Sequence, residues 1–422
     1  MQKKKIMVIY ETAGGGHYAA AKAIESALGS MYPGSFEVVL MPVRAATGSQ
    51  RVSHMMDMYN HLLKIKPSYS NMGMRVLNRL NVEKVVMPLM PKAARNLAKT
   101  MDAVRPDMII SVFAVVNHAA IETLKQKERE WGKKVPYVIW CTDLTKGFLR
   151  NWANRDADLT IALHPQAKEQ LVEYGVPEAK IRVLSGLPVN QKFLAKVPKF
   201  EARQAFGLDP TRFTVLISMG GVAVSATHDF ARELATSGLP VQVIAVCGRN
   251  ESLRVRCEAL AAKADIPIKV LGFTDQMHML MDAADIMVGK PGPGTIAEAI
   301  AKELPMLIDA TSVPMLQEAG NLELVVRQNL GQAISKDQTL TALVSRYMDN
   351  AELYAQTQRN LRRAKNDRAI EELIDIALSQ LPGGPPARLQ AEPGPVEGAD
   401  SGVAAGNASE APEPAEQAED LA

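Results

Sequence analysis

Apolar residues along this chain come in short runs that end at glycine turns and lead into longer stretches with helical spacing. Ile6-Met-Val-Ile-Tyr10 reads as a strand, Gly14-Gly-Gly16 as a turn, and Tyr18 to Leu28, with Ile24 and Leu28 on one face, as a helix. Phe36-Glu-Val-Val-Leu40, Asp107 to Val112, Pro136 to Asp143, Leu159 to His164 and Arg182 to Pro188 continue the strands. A second alternation starts at Phe213-Thr-Val-Leu-Ile-Ser218. It passes the turn Met219-Gly-Gly221, the strand Val241 to Val246, the stretch Lys269 to Phe273 and the strand Ala284 to Gly289, and ends with Pro305 to Asp309. Strand and helix alternating twice over predicts an α/β protein with two Rossmann-like units in tandem. The first is placed at residues 1–187 and the second at 188–350. Glu352 to Leu381 reads as one long polar helix, closing a segment 351–381. The Pro-, Gly-, Ala- and Glu-rich tail 382–422, without an aromatic residue, is expected to be disordered.

One stretch breaks the rhythm. Residues 51 to 105 carry Met55, Met56, Met58, Met72, Met74, Met87 and Met90, interleaved with Lys64, Lys66, Arg75, Arg79, Lys84, Lys92, Arg95, Lys99 and Arg105. Flexible thioethers suit adaptable apolar contacts, and a basic amphipathic segment suits an anionic lipid interface. A methionine stripe inside a core has the same pattern.

Composition narrows the picture. At 422 residues, 47% hydrophobic and 22% charged, the chain can bury two sizeable cores. No apolar run approaches the ~18 to 20 residues of a membrane span. The basic start Met1 to Lys5 resembles a signal n-region, but its apolar part stops at Tyr10-Glu11, so it is read as the first strand. Cys141, Cys247 and Cys257 lack CxxC spacing, which fits reduced thiols in a cytosol better than a disulfide framework or a zinc site. The net charge of +2 hides an asymmetry: Lys and Arg exceed Asp and Glu in the first unit, the second is near neutral, and the tail is acidic. A basic first half points to an anionic partner, either nucleic acid or a membrane surface.

The candidate chemistry gathers at the glycine turns. Lys290-Pro-Gly-Pro-Gly-Thr-Ile-Ala-Glu-Ala-Ile300 follows a buried strand and opens a helix. There, unpaired backbone N–H groups and the positive end of the helix dipole converge on one point, as a diphosphate requires. An ordinary strand-to-helix turn capped by glycine and threonine would look the same. The Gly14 to Gly16 turn is not a GxGxxG, which disfavours a dinucleotide. His17 at the helix start is placed for chemistry above the sheet edge or simply fills the first turn, and Thr142-Asp143 ends a strand at the edge where open α/β sheets bind ligands. Asp156-Ala-Asp158 matches a DxD metal pattern, but its place just before a strand favours turn and cap roles, and no metal site is assigned.

Seven motifs then occur in order: Glu11-Thr-Ala-Gly-Gly-Gly-His17, Cys141-Thr-Asp-Leu144 with Trp152 following, Gly186-Leu-Pro-Val189, Cys247-Gly-Arg-Asn250, Gly272-Phe273, Lys290 to Ala299, and Gln317-Glu-Ala-Gly-Asn321. In this the chain resembles the monogalactosyldiacylglycerol synthases and the related bacterial processive diacylglycerol glucosyltransferases of glycosyltransferase family 28. The chain departs from the family pattern at Glu11, at the short turn Gly220-Gly221, at Met315-Leu-Gln-Glu318 and at Ala114 to His118.

The resemblance implies the GT-B architecture. Two Rossmann-like domains would face each other across a cleft, with a C-terminal helix returning to the first. It implies inverting transfer of a hexose from UDP-glucose or UDP-galactose to diacylglycerol, without a cofactor or metal, by a cytoplasmic protein held peripherally at the inner face of a bacterial membrane. An anionic membrane surface is then the expected partner and nucleic acid is not; oligomeric state stays open. His17 is the first candidate base, with Asp143 as a second base or as the group orienting His17. The donor would meet Gly220, Gly221, Arg249, Asn250, Phe273, Gly292, Pro293, Gly294, Thr295, Glu298, Gln317, Glu318 and Asn321, and Gly14, Gly15 and Gly16 would form the acceptor-side loop. The competing readings are a UDP-GlcNAc transferase or 2-epimerase of the same fold, and a non-catalytic nucleotide-sugar sensor at the membrane.

Overall fold

A computed structural model describes residues 3–11, 15–48, 91–220, 225–311 and 314–388. Most of the Met-rich basic stretch, Gly14, Gly221 and nearly all of the acidic tail lie outside the described residues.

The apolar runs form two parallel six-stranded sheets. The first has the order β2 (Phe36–Pro42), β1 (Lys4–Tyr10), β3 (Met108–Ser111), β4 (Tyr137–Trp140), β5 (Leu159–Ala162), β6 (Ile181–Val183). The second has the order β12 (Gly331–Ile334), β11 (Met306–Asp309), β10 (Ile286–Gly289), β7 (Phe213–Ser218), β8 (Val241–Val246), β9 (Ile268–Leu271). Strands such as Ile6-Met-Val-Ile9 are apolar at every position because helices cover both faces. Alternate residues serve different layers: Ile6 and Val8 join one buried cluster, Met7 and Ile9 another. Strand order reverses between β1 and β3 and between β7 and β10. At such switch points successive connections leave in opposite directions and open a crevice at the carboxyl ends of the strands. Asp158 of the DxD pattern accepts from Tyr137 N at 2.8 Å and Asp156 pairs with Lys125 at 2.9 Å, so both acids anchor local structure.

The long polar helix expected over 352–381 is two helices, Ala351–Ala364 and Ala369–Leu378. Lys365 turns extended, and Asn366 Oδ1 accepts from Arg368 N at 2.9 Å, a local bond that competes with helix continuation. The break lets the last helix pack on Gly16–Met31 of the first domain. Tyr32 donates to Asp375 at 3.3 Å there, and Asn366 donates to Ser185 at 2.8 Å. A Cβ on Gly186 would stand 2.5 Å from that of Asn366, so the returning segment sits tightly against the first domain. Between the sheets, the linker is held by the fully buried Lys302, which pairs with Asp282 at 2.6 Å while Asp282 accepts from Val197 N at 3.2 Å.

Candidate active site

The first half of the site is built from side chains at the ends of β1, β3 and β4. After β1 the chain turns through Gly15, whose φ of +86° is costly for any residue with a Cβ, and His17 enters the first turn of Gly16–Met31. Its ring stands edge-on to Phe113 at 5.2 Å and tilted to Trp152 at 6.3 Å. Its Nδ1 is 3.2 Å from the Thr142 hydroxyl. Burial lowers its pKa to about 4, against the smaller opposing pulls of the Val112 carbonyl and Glu11, so the imidazole is neutral near pH 7. Glu11, itself fully buried, accepts from Arg44 Nε at 3.3 Å.

Asp143 lies one residue beyond Thr142. Its Oδ2 accepts from Trp152 Nε1 at 2.7 Å. Burial pushes its pKa up to about 6; the Trp152 bond works against this and the nearby Glu318 carboxylate adds to it. The sequence offered Asp143 as a base or as the group orienting His17; the hydrogen bond to the imidazole comes from Thr142 and that to the carboxylate from Trp152. Thr142 and Trp152 stood in one sequence motif with Asp143 but were given no role there, and Phe113 was not singled out at all, because no local spacing links it to them.

The second half is mostly backbone. β10 ends at Gly289, and the chain runs through Lys290-Pro291 to Gly292, the N-cap of the helix Pro293–Lys302. The cap makes no side-chain bond, so the first-turn N–H groups of Gly294 and Thr295 have no partner within the helix. A Cβ on Gly294 would meet nothing within 4 Å, which leaves space over those donors for a ligand. The neighbouring turn after β7 brings Gly220, at φ +85°, close to Lys290, whose Cε would be 3.2 Å from a Cβ there. Lys290 Nζ lies 3.9 Å from Glu318 Oε1, and Gln317 Oε1 is enclosed without a hydrogen-bond partner. Glu298, further along the same helix, has its pKa raised to about 7 by burial, with Lys192 opposing.

Three donor candidates make contacts of their own within the protein. Asn321 is fully buried with both ends of its amide engaged, Nδ2 on the Pro291 carbonyl at 3.0 Å and Oδ1 on the Thr145 hydroxyl at 2.7 Å. Asn250 uses its Oδ1 to cap Glu251–Ala261, accepting from Leu253 N at 3.1 Å. Arg249 lies over the Phe273 ring at 4.0 Å, and the 58% exposed ring forms a stack of its own beyond β8 and β9. The structure thus groups His17, Thr142, Asp143 and Trp152 on one side. Gly220, Lys290 to Thr295, Gln317 and Glu318 form the other, joined to the first by the Asp143–Glu318 proximity and the Thr145–Asn321 bond. Gly15 and Gly16 start the helix that carries His17.

A carboxyl held near neutrality on one side and a helix N-terminus with free donors on the other are groups that displacement of a diphosphate leaving group by an alcohol could use. The comparisons with known proteins agree in outline. The family model for monogalactosyldiacylglycerol (MGDG) synthase matches residues 17–189, and that for the glycosyltransferase family 28 C-terminal domain matches residues 222–373. Monogalactosyldiacylglycerol synthase 1, chloroplastic, of Arabidopsis thaliana is 28% identical over 387 residues, covering 88% of this chain and 70% of its own. The probable soybean (Glycine max) counterpart is also 28% identical, covering 88% and 71%. Acinetobacter baumannii MurG superposes with a TM-score of 0.58 at 16% identity, over 89% of this chain and 99% of that one. Anabaena HepE in complex with UDP-glucose superposes at 0.54 and 17%, over 89% and 100%. The fold is GT-B.

Proposed function

We propose, from the premise that this chain belongs to the monogalactosyldiacylglycerol synthase group of glycosyltransferase family 28 and is a UDP-sugar-dependent glycosyltransferase, that it moves a hexose from UDP-glucose or UDP-galactose to membrane diacylglycerol with inversion. The observation that carries this reading is the pairing of an uncapped helix turn at Gly294 and Thr295 in the second domain with an Asp143 carboxyl in the first that is held near neutrality and lies close enough to Glu318 of the second domain to feel its charge. The acceptor hydroxyl oxygen bonds to the anomeric carbon, the bond from that carbon to the diphosphate breaks, and UDP leaves with the electron pair. The developing charge falls on the helix N-terminus and on Lys290. The hydroxyl proton passes to Asp143. Between the two candidate bases, a carboxyl with a pKa of about 6 accepts a proton near neutral pH more readily than an imidazole held at about 4. His17 then packs and orients the acceptor hydroxyl. Glu298 accepts from the ribose hydroxyls, and Gln317 and Glu318 meet the sugar, the enclosed Gln317 oxygen being an acceptor still in need of a donor.

The acceptor lives in a membrane. No helix among the described residues is long and apolar enough to cross one. Peripheral attachment at the inner face of a bacterial membrane fits the basic first half and the helix Pro91–Val104, where Lys92, Arg95 and Lys99 stand exposed. Diacylglycerol vesicles incubated with radiolabelled UDP-glucose, UDP-galactose and UDP-GlcNAc test the reaction; labelled lipid is expected from one of the first two. No labelled lipid from any donor refutes it. Flotation should show binding that rises with anionic lipid and weakens with salt, since such attraction is screened over ~10 Å at 0.1 M.

A further inference from the structure

The loop that follows Asp143 enters the second domain as an interlocking piece. Thr145 is fully buried, and its hydroxyl donates to the fully buried Asn321 at 2.7 Å. Asn321 passes the connection on, donating to the carbonyl of Pro291 at 3.0 Å, one residue before the N-cap of the diphosphate turn. Two glycines make the approach possible. A Cβ on Gly320 would stand 2.5 Å from Thr145 Oγ1, and one on Gly147 would stand 2.3 Å from the Leu316 carbonyl oxygen. Gly147 sits at φ +102°, and its N–H donates to the buried Gln170 at 2.7 Å, which fixes the loop from the first-domain side.

We propose that Thr145 and Asn321 are positioning residues forming a latch that sets how far the cleft closes. Through it, the distance between Asp143 and the diphosphate turn is held by two hydrogen bonds: Asp143 is two residues from Thr145, and Pro291 adjoins Gly292. Opening the cleft strips a buried amide of its partner, so a ligand that fills the cleft and a latch that closes it favour the same arrangement. The latch's catalytic meaning rests on reading Lys290 to Thr295 as the diphosphate site, whereas its mechanical meaning does not.

The test uses the full chain with spin labels on cysteines introduced at Glu122 and Arg327, which are exposed in the two domains, the three native cysteines being buried. Thr145→Val keeps the shape and removes the donor. It should lengthen the interlabel distance without ligand and lower kcat roughly ten- to hundredfold, while UDP affinity by calorimetry stays within about twofold, because the donor site lies wholly on the second domain. Thr145→Ser restores the hydroxyl and should restore both distance and kcat. Gly320→Ala, which drives a methyl into Thr145, should open the cleft by a separate route. An unchanged distance in both Thr145→Val and Gly320→Ala overturns the latch, as does Thr145→Ser behaving like Thr145→Val. If the distances change as expected but UDP does not bind the wild-type protein, the diphosphate reading fails and the latch stands.

Discussion

The two lips of the cleft are made of different materials. The first-domain lip presents side chains, His17, Thr142, Asp143 and Trp152, and burial displaces the titration of the two that titrate, His17 downward and Asp143 upward. The second-domain lip presents main chain, the uncapped first turn of Pro293–Lys302, with glycine at 292 and 294. In the proposed reaction the contrast follows from the task of each side. Moving a proton needs a group whose affinity for it can be tuned, and only side chains offer that. Holding a diphosphate needs several donors aimed at one place with no reorganisation, and a helix N-terminus offers them with little loss of side-chain entropy.

Substitutions that touch one lip should therefore leave the other's property intact. The largest expected effect is at Asp143. Asp143→Asn should lower kcat by roughly 10² to 10⁴ with UDP affinity by calorimetry unchanged; loss of UDP binding would break the division of labour. His17→Ala should cost clearly less in kcat than Asp143→Asn, and an equal or greater loss would return the base to His17.

On the second lip, Glu298→Gln should weaken UDP binding about tenfold, since a hydrogen bond to a charged acceptor contributes roughly 1.5 to 3 kcal/mol, and leave kcat at saturating donor nearly unchanged. Because the ribose hydroxyls bond the ionised carboxyl, UDP affinity should rise as pH increases through about 7, and the glutamine variant should flatten that rise. Calorimetry at pH 6 and pH 8 decides it. The smallest effect is a displaced pH profile. A base with a pKa of about 6 makes kcat/KM fall as pH drops below that value. In Trp152→Phe the acid limb should move upward, because the lost bond favoured the carboxylate; a limb that stays in place would remove Trp152 from the positioning of Asp143.

Legibility in the sequence was just as uneven. The strand–turn–helix element proposed to hold the diphosphate could be read at once because every part of it is local: a strand end, a glycine N-cap, a proline in the first helical turn and a helix with apolar spacing, all within residues 286–302. The alternation that yields two Rossmann-like sheets was equally open, since each buried parallel strand is a short apolar run. His17 was singled out by its place at a helix start and Asp143 by its place at a strand end. The bonds they make could not be read, although Thr142 and Trp152 stand in the same motif as Asp143, because Trp152 reaches Asp143 and Thr142 reaches His17 through folding alone. Asn321 shows the same limit from the other direction: its motif suggested ligand contact, but its amide is taken by Thr145, 176 residues away in sequence, and by Pro291. The break at Lys365 to Arg368 escaped notice because apolar spacing resumes on both sides and an asparagine turn leaves no periodic mark.

By itself the order of residues determined which segments become buried parallel strands, where glycine opens the chain at a helix start, and which side chains stand at the sheet edges, since each depends on neighbours a few positions apart. The tertiary structure decided which of those side chains share a dielectric environment, which carboxylate is held near neutrality, and that the two lips are pinned together through a buried threonine and asparagine. Desolvation, Coulombic repulsion and a cross-domain hydrogen bond all depend on distances between residues far apart in the chain, and those exist only once the sheets have packed.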